Sequence, residues 1–182
     1  MSVSTRRRGL PVLAACLLLT SCGGVGGMDH GSTGGGSMRG MYMGDANATP
    51  ADKVPGAELR TGTFRLLDGR PSGTDSVAGT AWMALSGRGT TVTVELNGLQ
   101  AGRAYLALVH ARACSDDSGG GNFRFDRNGP TMPPNEIHLQ FTADPSGHGF
   151  MTAENRGKAS GAKSVVLSPS DAMDSRVACA DL

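Results

Sequence analysis

From residue 58 onward the sequence alternates between apolar and polar residues with a period of two. Residues 90–96 show the pattern most clearly, because Val92, Val94 and Leu96 fall on one side and the intervening polar residues on the other. Successive side chains of a β-strand point to opposite faces, so this alternation is typical of a strand with one buried face. No long segment carries the 3.6-residue period of an amphipathic helix. The chain is therefore predicted to be all-β.

Turn signals separate the alternating segments. Glycine, serine, asparagine and aspartate cluster between them, for example at residues 86–89, 97–98 and 144–147. Several short strands with regular turns predict an antiparallel sandwich or barrel, here assigned to residues 58–182 as one domain. The predicted strands are residues 59–67, 77–85, 90–96, 104–111, 136–142, 149–153 and 164–167.

The N-terminus has the parts of a bacterial export signal. Three arginines at residues 6–8 precede an apolar run at 10–19, which is too short to span a bilayer as an ordinary helix. The run ends in Leu-Thr-Ser-Cys22, which matches a lipobox, and the two glycines after Cys22 favour lipidation over a plain signal peptide. Residues 1–22 are predicted to be a lipoprotein signal peptide. The protein would then be extracytoplasmic and held at the bacterial cell membrane by the lipid on Cys22.

Residues 23–57 are predicted to be a disordered, Gly- and Met-rich tether. They lack apolar periodicity and offer no core in which methionine would be buried. Thioether and imidazole groups suit Cu(I), so copper binding by the tether is one hypothesis, and a linker with incidental methionines is the alternative. The candidate ligands are Met28, His30, Met38, Met41 and Met43.

The net charge and the cysteines bear on the kind of partner and on the redox compartment. A formal net charge of +1 does not indicate a nucleic-acid surface. Of the four cysteines, Cys16 leaves with the signal and Cys22 is predicted to carry lipid. In an oxidising compartment the remaining pair, Cys114 and Cys179, is predicted to form a disulfide.

The order of motifs over roughly residues 62–182 resembles the copper/zinc superoxide dismutases, most closely their secreted, lipid-anchored bacterial relatives. The resemblance implies a Greek-key antiparallel barrel, and an unrelated immunoglobulin-like sandwich is the alternative. It also matches Cys114 and Cys179 to the family's disulfide, and Arg176 to the arginine that attracts superoxide. The motifs are the turn Gly98-Leu99-Gln100-Ala101-Gly102, the His110 strand that runs into Cys114, the sequence Gly121-Asn122-Phe123, and Arg176 before Cys179.

The copper ligands that this resemblance implies are mostly replaced. Four imidazoles hold copper in the family, and the second corresponds to His110. The others correspond to Leu108, Asn122 and Leu167, so three of four are missing. Leu108 and Leu167 are expected to fill the former metal site with apolar volume. The alternative role for Arg176 is a hydrogen bond or salt bridge to the loop that the disulfide pins.

Two further residues are candidate metal ligands. Asp126 lies in the long loop at residues 115–135, which carries metal ligands in the resembled family. His138 lies on the predicted strand at residues 136–142, where alternation groups it with Glu136 and Gln140 on a polar face. That grouping favours an exposed histidine over a ligand. Copper is the candidate metal, zinc is not assigned, and a metal-free domain is the alternative.

Three functional hypotheses follow, and enzymatic activity stays open among them. The first is a superoxide dismutase-like envelope lipoprotein with a degenerate copper/zinc site and weak or no dismutase activity. The second is an active copper-dependent dismutase with a non-standard site built from His110, His138 and tether ligands. The third is a copper-holding lipoprotein that binds the metal through its tether. The sequence identifies the membrane as a partner but no protein partner.

Overall fold

A computed structural model describes residues 43–182, which form two antiparallel β-sheets packed face to face around one core. The all-β prediction is confirmed. Two short 3₁₀ turns, Ala51–Lys53 and Asp117–Gly119, accompany the strands. The strands are β1 (Glu58–Thr63), β2 (Arg65–Leu66), β3 (Ala78–Ser86), β4 (Gly89–Asn97), β5 (Ala104–His110), β6 (His138–Thr142), β7 (Gly149–Asn155), β8 (Ser164–Pro169) and β9 (Ala178–Asp181).

The first sheet has the strand order β1-β3-β4-β7, and the second has the order β2-β9-β8-β5-β6. The chain changes sheets at Phe64, so the single strand predicted at residues 59–67 is two strands. The Phe64 amide still donates to Gly79 of the first sheet at 2.9 Å, whereas Leu66 already pairs with Ala178 of the second. Phe64 itself is buried in the core between the sheets. Burial of this side chain stabilises the point where the chain crosses from one sheet to the other.

The apolar side chains on the inner faces of the strands fill the space between the two sheets. Val92, Val94 and Leu96 of β4 face Tyr105, Ala107 and Val109 of β5 across a core from which water is excluded. This is the burial that the period of two predicts, and it is the main stabilising contribution to the fold. The opposite face of β5, with Leu108 and His110, therefore points away from the core.

One strand gave no sequence signal. The segment Ala178–Asp181 lies between β8 and β2, and its first three residues are buried. The strand is covered on both faces, so residues on either face are buried. Its Ala-Cys-Ala sequence therefore shows no alternation between apolar and polar residues. The predicted disulfide between Cys114 and Cys179 is confirmed, with an Sγ–Sγ distance of 2.03 Å. It ties the loop after β5 to β9.

The segment before β1 packs against the outer face of the first sheet. The Asp45 amide donates to the Thr152 carbonyl at 2.6 Å, and the Ala51 amide donates to Thr93 Oγ1 at 2.9 Å. Ala51 is almost fully buried there. Residues 45–53 were assigned to the tether of residues 23–57, because a short segment without alternation gives no sign that a neighbouring sheet supplies its partners.

Several predictions concern residues that lie outside the described range. These are the signal peptide at residues 1–22, the lipidated Cys22, and the tether candidates Met28, His30, Met38 and Met41. Within residues 43–182, no helix has both the length and the apolar character needed to cross a bilayer.

Candidate functional site

A cavity of about 490 Å³ opens on the outer face of the second sheet. Its floor is a row of cross-strand neighbours, in which Leu108 of β5 pairs with His138 of β6 on one side and Val166 of β8 on the other. The loop between β5 and β6 and the segment after β8 supply the walls. Besides the floor, residues that line the cavity include His110, Asp117, Asn122, Glu136, Met173, Asp174 and Arg176.

His110 ends β5 and is only 3% exposed. Its Nδ1 atom lies 3.0 Å from the carbonyl oxygen of Gly120, and since a carbonyl only accepts, Nδ1 carries the proton. Burial lowers the pKa of His110 to about 4, and the positive charge of Arg176 acts in the same direction. The imidazole is therefore neutral at neutral pH. Its Nε2 lone pair has no hydrogen-bond partner among residues 43–182.

A buried carboxylate, Glu136, organises the opposite wall. It is 2% exposed, and its Oε2 atom accepts hydrogen bonds from Asn122 Nδ2 at 2.8 Å and from His138 Nε2 at 2.9 Å. The side chain of His138 is only 12% exposed, so the prediction of a histidine on a solvated face is wrong. The loop at residues 122–135 covers this end of the sheet, which alternation alone does not reveal. Sequence reasoning missed Glu136, although its spacing of two from His138 was the available signal.

Arg176 lines the cavity and holds the loop through three of its N–H groups. Its Nη1 donates to the carbonyls of Asp117 and Ser118, both at 2.9 Å, and its Nη2 donates to Gly120 at 2.8 Å. Asp117 and Ser118 both have left-handed backbones, with φ of 53° and 52°. Such backbones are strained in non-glycine residues and persist where neighbouring contacts hold them. The guanidinium therefore has the hydrogen-bonding role that the sequence left as the alternative.

The positions of the expected copper ligands fall into two groups. Leu108, His110 and Asn122 line the cavity, as the resemblance implies. Leu167 does not, because it is fully buried between the sheets, and the residues of β8 that line the cavity are Val166 and Ser168. The expectation that Leu167 adds apolar volume beside Leu108 is therefore wrong, since neighbouring residues of a strand point to opposite faces.

These residues do not fit a copper ion held by four imidazoles. One imidazole, His110, stands among the four candidate positions, with two leucines and an amide at the others. A second histidine of the lining, His138, has its Nε2 hydrogen-bonded to Glu136. Asp126 is exposed, lies outside the cavity lining, and accepts a hydrogen bond from the Asn128 amide at 2.9 Å. Met43 also lies outside the lining. Across residues 43–182, no group of three or more His, Cys, Asp or Glu side chains is arranged to hold a metal ion.

A second hollow, of about 760 Å³, lies at one end of the first sheet. Val54, Pro55 and Pro134 contribute apolar surface to it, and Arg88 and Arg156 are exposed beside it. It brings together none of the residues that the sequence singled out.

The chain matches none of the protein-family models and none of the curated proteins with which it was compared. Functional inference therefore depends on the first cavity. Chemically, that cavity combines a neutral imidazole, a buried carboxylate that accepts from a second histidine, and the apolar side chains of Leu108 and Val166.

Proposed function

We propose that this chain is a lipid-anchored, extracytoplasmic domain of the copper/zinc superoxide dismutase type that has lost dismutase activity. Its strands would follow the Greek-key arrangement of that family. One observation carries the proposal. Of the four positions that the resemblance equates with copper ligands, only His110 is a histidine, while Leu108, Asn122 and Leu167 occupy the others. A single imidazole does not hold copper in a redox-active geometry.

The contacts of Arg176 bear on its role in the proposal. Here the two terminal nitrogens already donate to three backbone carbonyls of residues 117–120. Arg176 and the Cys114–Cys179 disulfide thus fix one loop from two sides. The proposal assigns to both a structural role that keeps the cavity open.

In this proposal the lipid on Cys22 keeps the domain at the outer face of the cell membrane, and the cavity serves binding rather than redox chemistry. Residues 23–42 supply the link between the anchor and the domain. Copper handling by the tether methionines would be an added property, independent of the cavity.

The test is a measurement of copper and zinc content together with superoxide consumption. The full-length protein would be purified from the envelope in mild detergent and exposed to both metals. We expect neither tightly held copper in the domain nor activity above that of free copper. About one copper per chain, with activity that His110→Ala abolishes, would instead establish the active enzyme with a non-standard site.

The tether alternative is distinguished by a second variant. Copper that survives His110→Ala but is lost when Met28, Met38, Met41 and Met43 become serine would establish copper holding by the tether. Met132→Ser is the matched control, because Met132 is 58% exposed and lies in the domain rather than in the tether.

A further inference from the structure

The cavity on the second sheet contains hydrogen-bond acceptors that no donor satisfies. His110 is the clearest case. The residue is 3% exposed, its Nδ1 donates to the carbonyl oxygen of Gly120, and it lines the cavity. With Nδ1 as the donor, Nε2 is the nitrogen that can accept a hydrogen bond from a ligand in the cavity.

Glu136 provides the second acceptor. Its Oε2 atom accepts from both Asn122 and His138, whereas Oε1 accepts no hydrogen bond from residues 43–182. The carboxylate is nearly completely buried and lines the same cavity as His110. Asn122 links the two groups, because its backbone bridges to His110 while its side chain donates to Glu136.

The charged side chains around the cavity also favour a ligand that donates hydrogen bonds. Three carboxylates, those of Glu136, Asp117 and Asp174, line it against one guanidinium, Arg176. Arg176 donates three of its N–H groups to backbone carbonyls. The ionisable side chains of the lining therefore include more carboxylates than cationic groups, which favours a cationic ligand.

Part of the cavity floor is apolar. Leu108 and Val166 are cross-strand neighbours that both line it, and Met173 adds an exposed thioether. A cavity of about 490 Å³ has the volume of an ordinary small-molecule site. A complementary ligand combines a positively charged group that donates several hydrogen bonds with a short apolar chain. A primary ammonium group, with three donors and no acceptor, has the required chemistry.

We propose that this cavity binds a small organic cation in which a primary ammonium group is carried on a short alkyl chain. The ammonium group is bound by Glu136 and His110 Nε2, and the alkyl chain contacts Leu108 and Val166. The inference extends the proposed function and depends on it in one respect, because a copper ion on His110 would occupy the same acceptor.

Titration calorimetry on full-length, metal-free protein tests the proposal. The probe is 1,4-diaminobutane, and 1,4-butanediol serves as a neutral ligand of matched length. We expect saturable binding of the diamine and none of the diol. Glu136→Gln keeps the shape but removes the charge, and it should weaken diamine binding by roughly tenfold to a hundredfold. Glu95→Gln is the control, because Glu95 pairs with His148 at 3.3 Å on the first sheet, outside the lining of this cavity.

A second measurement uses the wild-type protein, so its result does not depend on whether the variants fold. In wild-type protein, the imidazole proton resonances of His110 should shift on addition of the diamine, while those of His148 stay unchanged. Equal affinity for diamine and diol would overturn the proposal, as would diamine binding that Glu136→Gln leaves intact. Absence of any shift at His110 would do so as well. Those failures leave the proposed function standing, whereas stoichiometric copper uptake with dismutase activity would overturn the proposed function.

Discussion

The Nδ1 atom of His110 donates to the carbonyl oxygen of Gly120 across 3.0 Å, and this bond decides which ring nitrogen is left for the cavity. Gly120 also accepts from Arg176, so one carbonyl connects the buried histidine to the arginine that holds the loop. Metal-binding histidines are commonly oriented by such a bond to a backbone carbonyl. In this protein the bond leaves Nε2 as the ring nitrogen that can accept a hydrogen bond.

The first prediction concerns stability in acid. His110 has a folded pKa of about 4 against an ordinary value of 6.5, so between these pH values the unfolded chain binds more protons than the folded one. Stability contributed by the neutral imidazole is thus complete above pH 6.5 and lost as the pH falls to 4. The loss is on the order of 3 kcal/mol. Urea unfolding at pH 7 and pH 4.5 should show a smaller decrease for His110→Gln than for wild type. An equal decrease in both proteins would contradict it.

The second prediction concerns the arginine clamp. Arg176→Lys keeps the charge but loses the planar fork that reaches three carbonyls, so we expect a loss of about 2 kcal/mol in unfolding free energy. Hydrogen exchange should accelerate at the amides of Arg112 and Gly120, which donate within this loop. Arg70→Lys is the control, since Arg70 makes side-chain hydrogen bonds to Asp75 and to the Leu67 carbonyl in the β2–β3 connection, outside this loop. Unchanged exchange in the loop of the Arg176 variant would refute the clamp.

The third prediction tests which residue of β8 belongs to the cavity. Replacing Leu108, Asn122 and Val166 together by histidine should create a copper site with His110, because all four residues line the cavity. The matched variant carries Leu167→His in place of Val166→His. Since Leu167 is fully buried in the core, that variant should bind less copper and be destabilised by about 2–5 kcal/mol. Copper content by mass spectrometry and urea unfolding would compare the two, and superior copper uptake by the Leu167 variant would reverse the assignment.

The fourth prediction concerns the disulfide. Cys114 and Cys179 are 65 residues apart, and a crosslink of that span contributes about 4 kcal/mol by restricting the unfolded chain. The double variant Cys114→Ser/Cys179→Ser should therefore unfold at lower urea concentration than the oxidised protein. Adding a thiol reductant should lower the midpoint of wild type to that of the variant and leave the variant unchanged. A reductant effect on the variant would point to a different cause.

The fifth prediction addresses the anchor. Cys22→Ser removes the only residue of the lipobox that can be acylated, so the protein should move from the membrane pellet to the soluble fraction of lysed cells. Cys16→Ser, which changes another cysteine of the same signal, should leave the protein in the pellet. Membrane retention of the Cys22 variant would exclude lipidation as the means of attachment.

Most strands followed from the sequence because one-sided burial imposes a period of two. The strands at β3, β4, β5, β7 and β8 differ from the predictions mainly at their ends. Where a segment is not buried on one face only, the sequence shows no period of two and the strand is not predicted. The segment at β9 is covered on both sides and consists of small residues, and residues 45–53 depend on a sheet formed far away in the chain. Phe64 breaks a continuous pattern because the two halves of that segment join different sheets.

For the site, the sequence identified His110, Asn122 and Arg176 as residues of one region, and the cysteine count predicted the disulfide. It did not bring Glu136 into that region, nor did it distinguish Val166 from Leu167.

What the sequence by itself determined is the alternation of faces along each strand, because that property is local and set by backbone geometry. What only the tertiary structure decided is which of the two faces meets the core and which groups of a distant loop come to lie over the other. His110, Glu136 and Arg176 approach one another through contacts between segments far apart in the chain. The lowered pKa of His110 comes from burial, and the grouping of His110 with Glu136 comes from the loop; both exist only once the sheets and the loop have assembled.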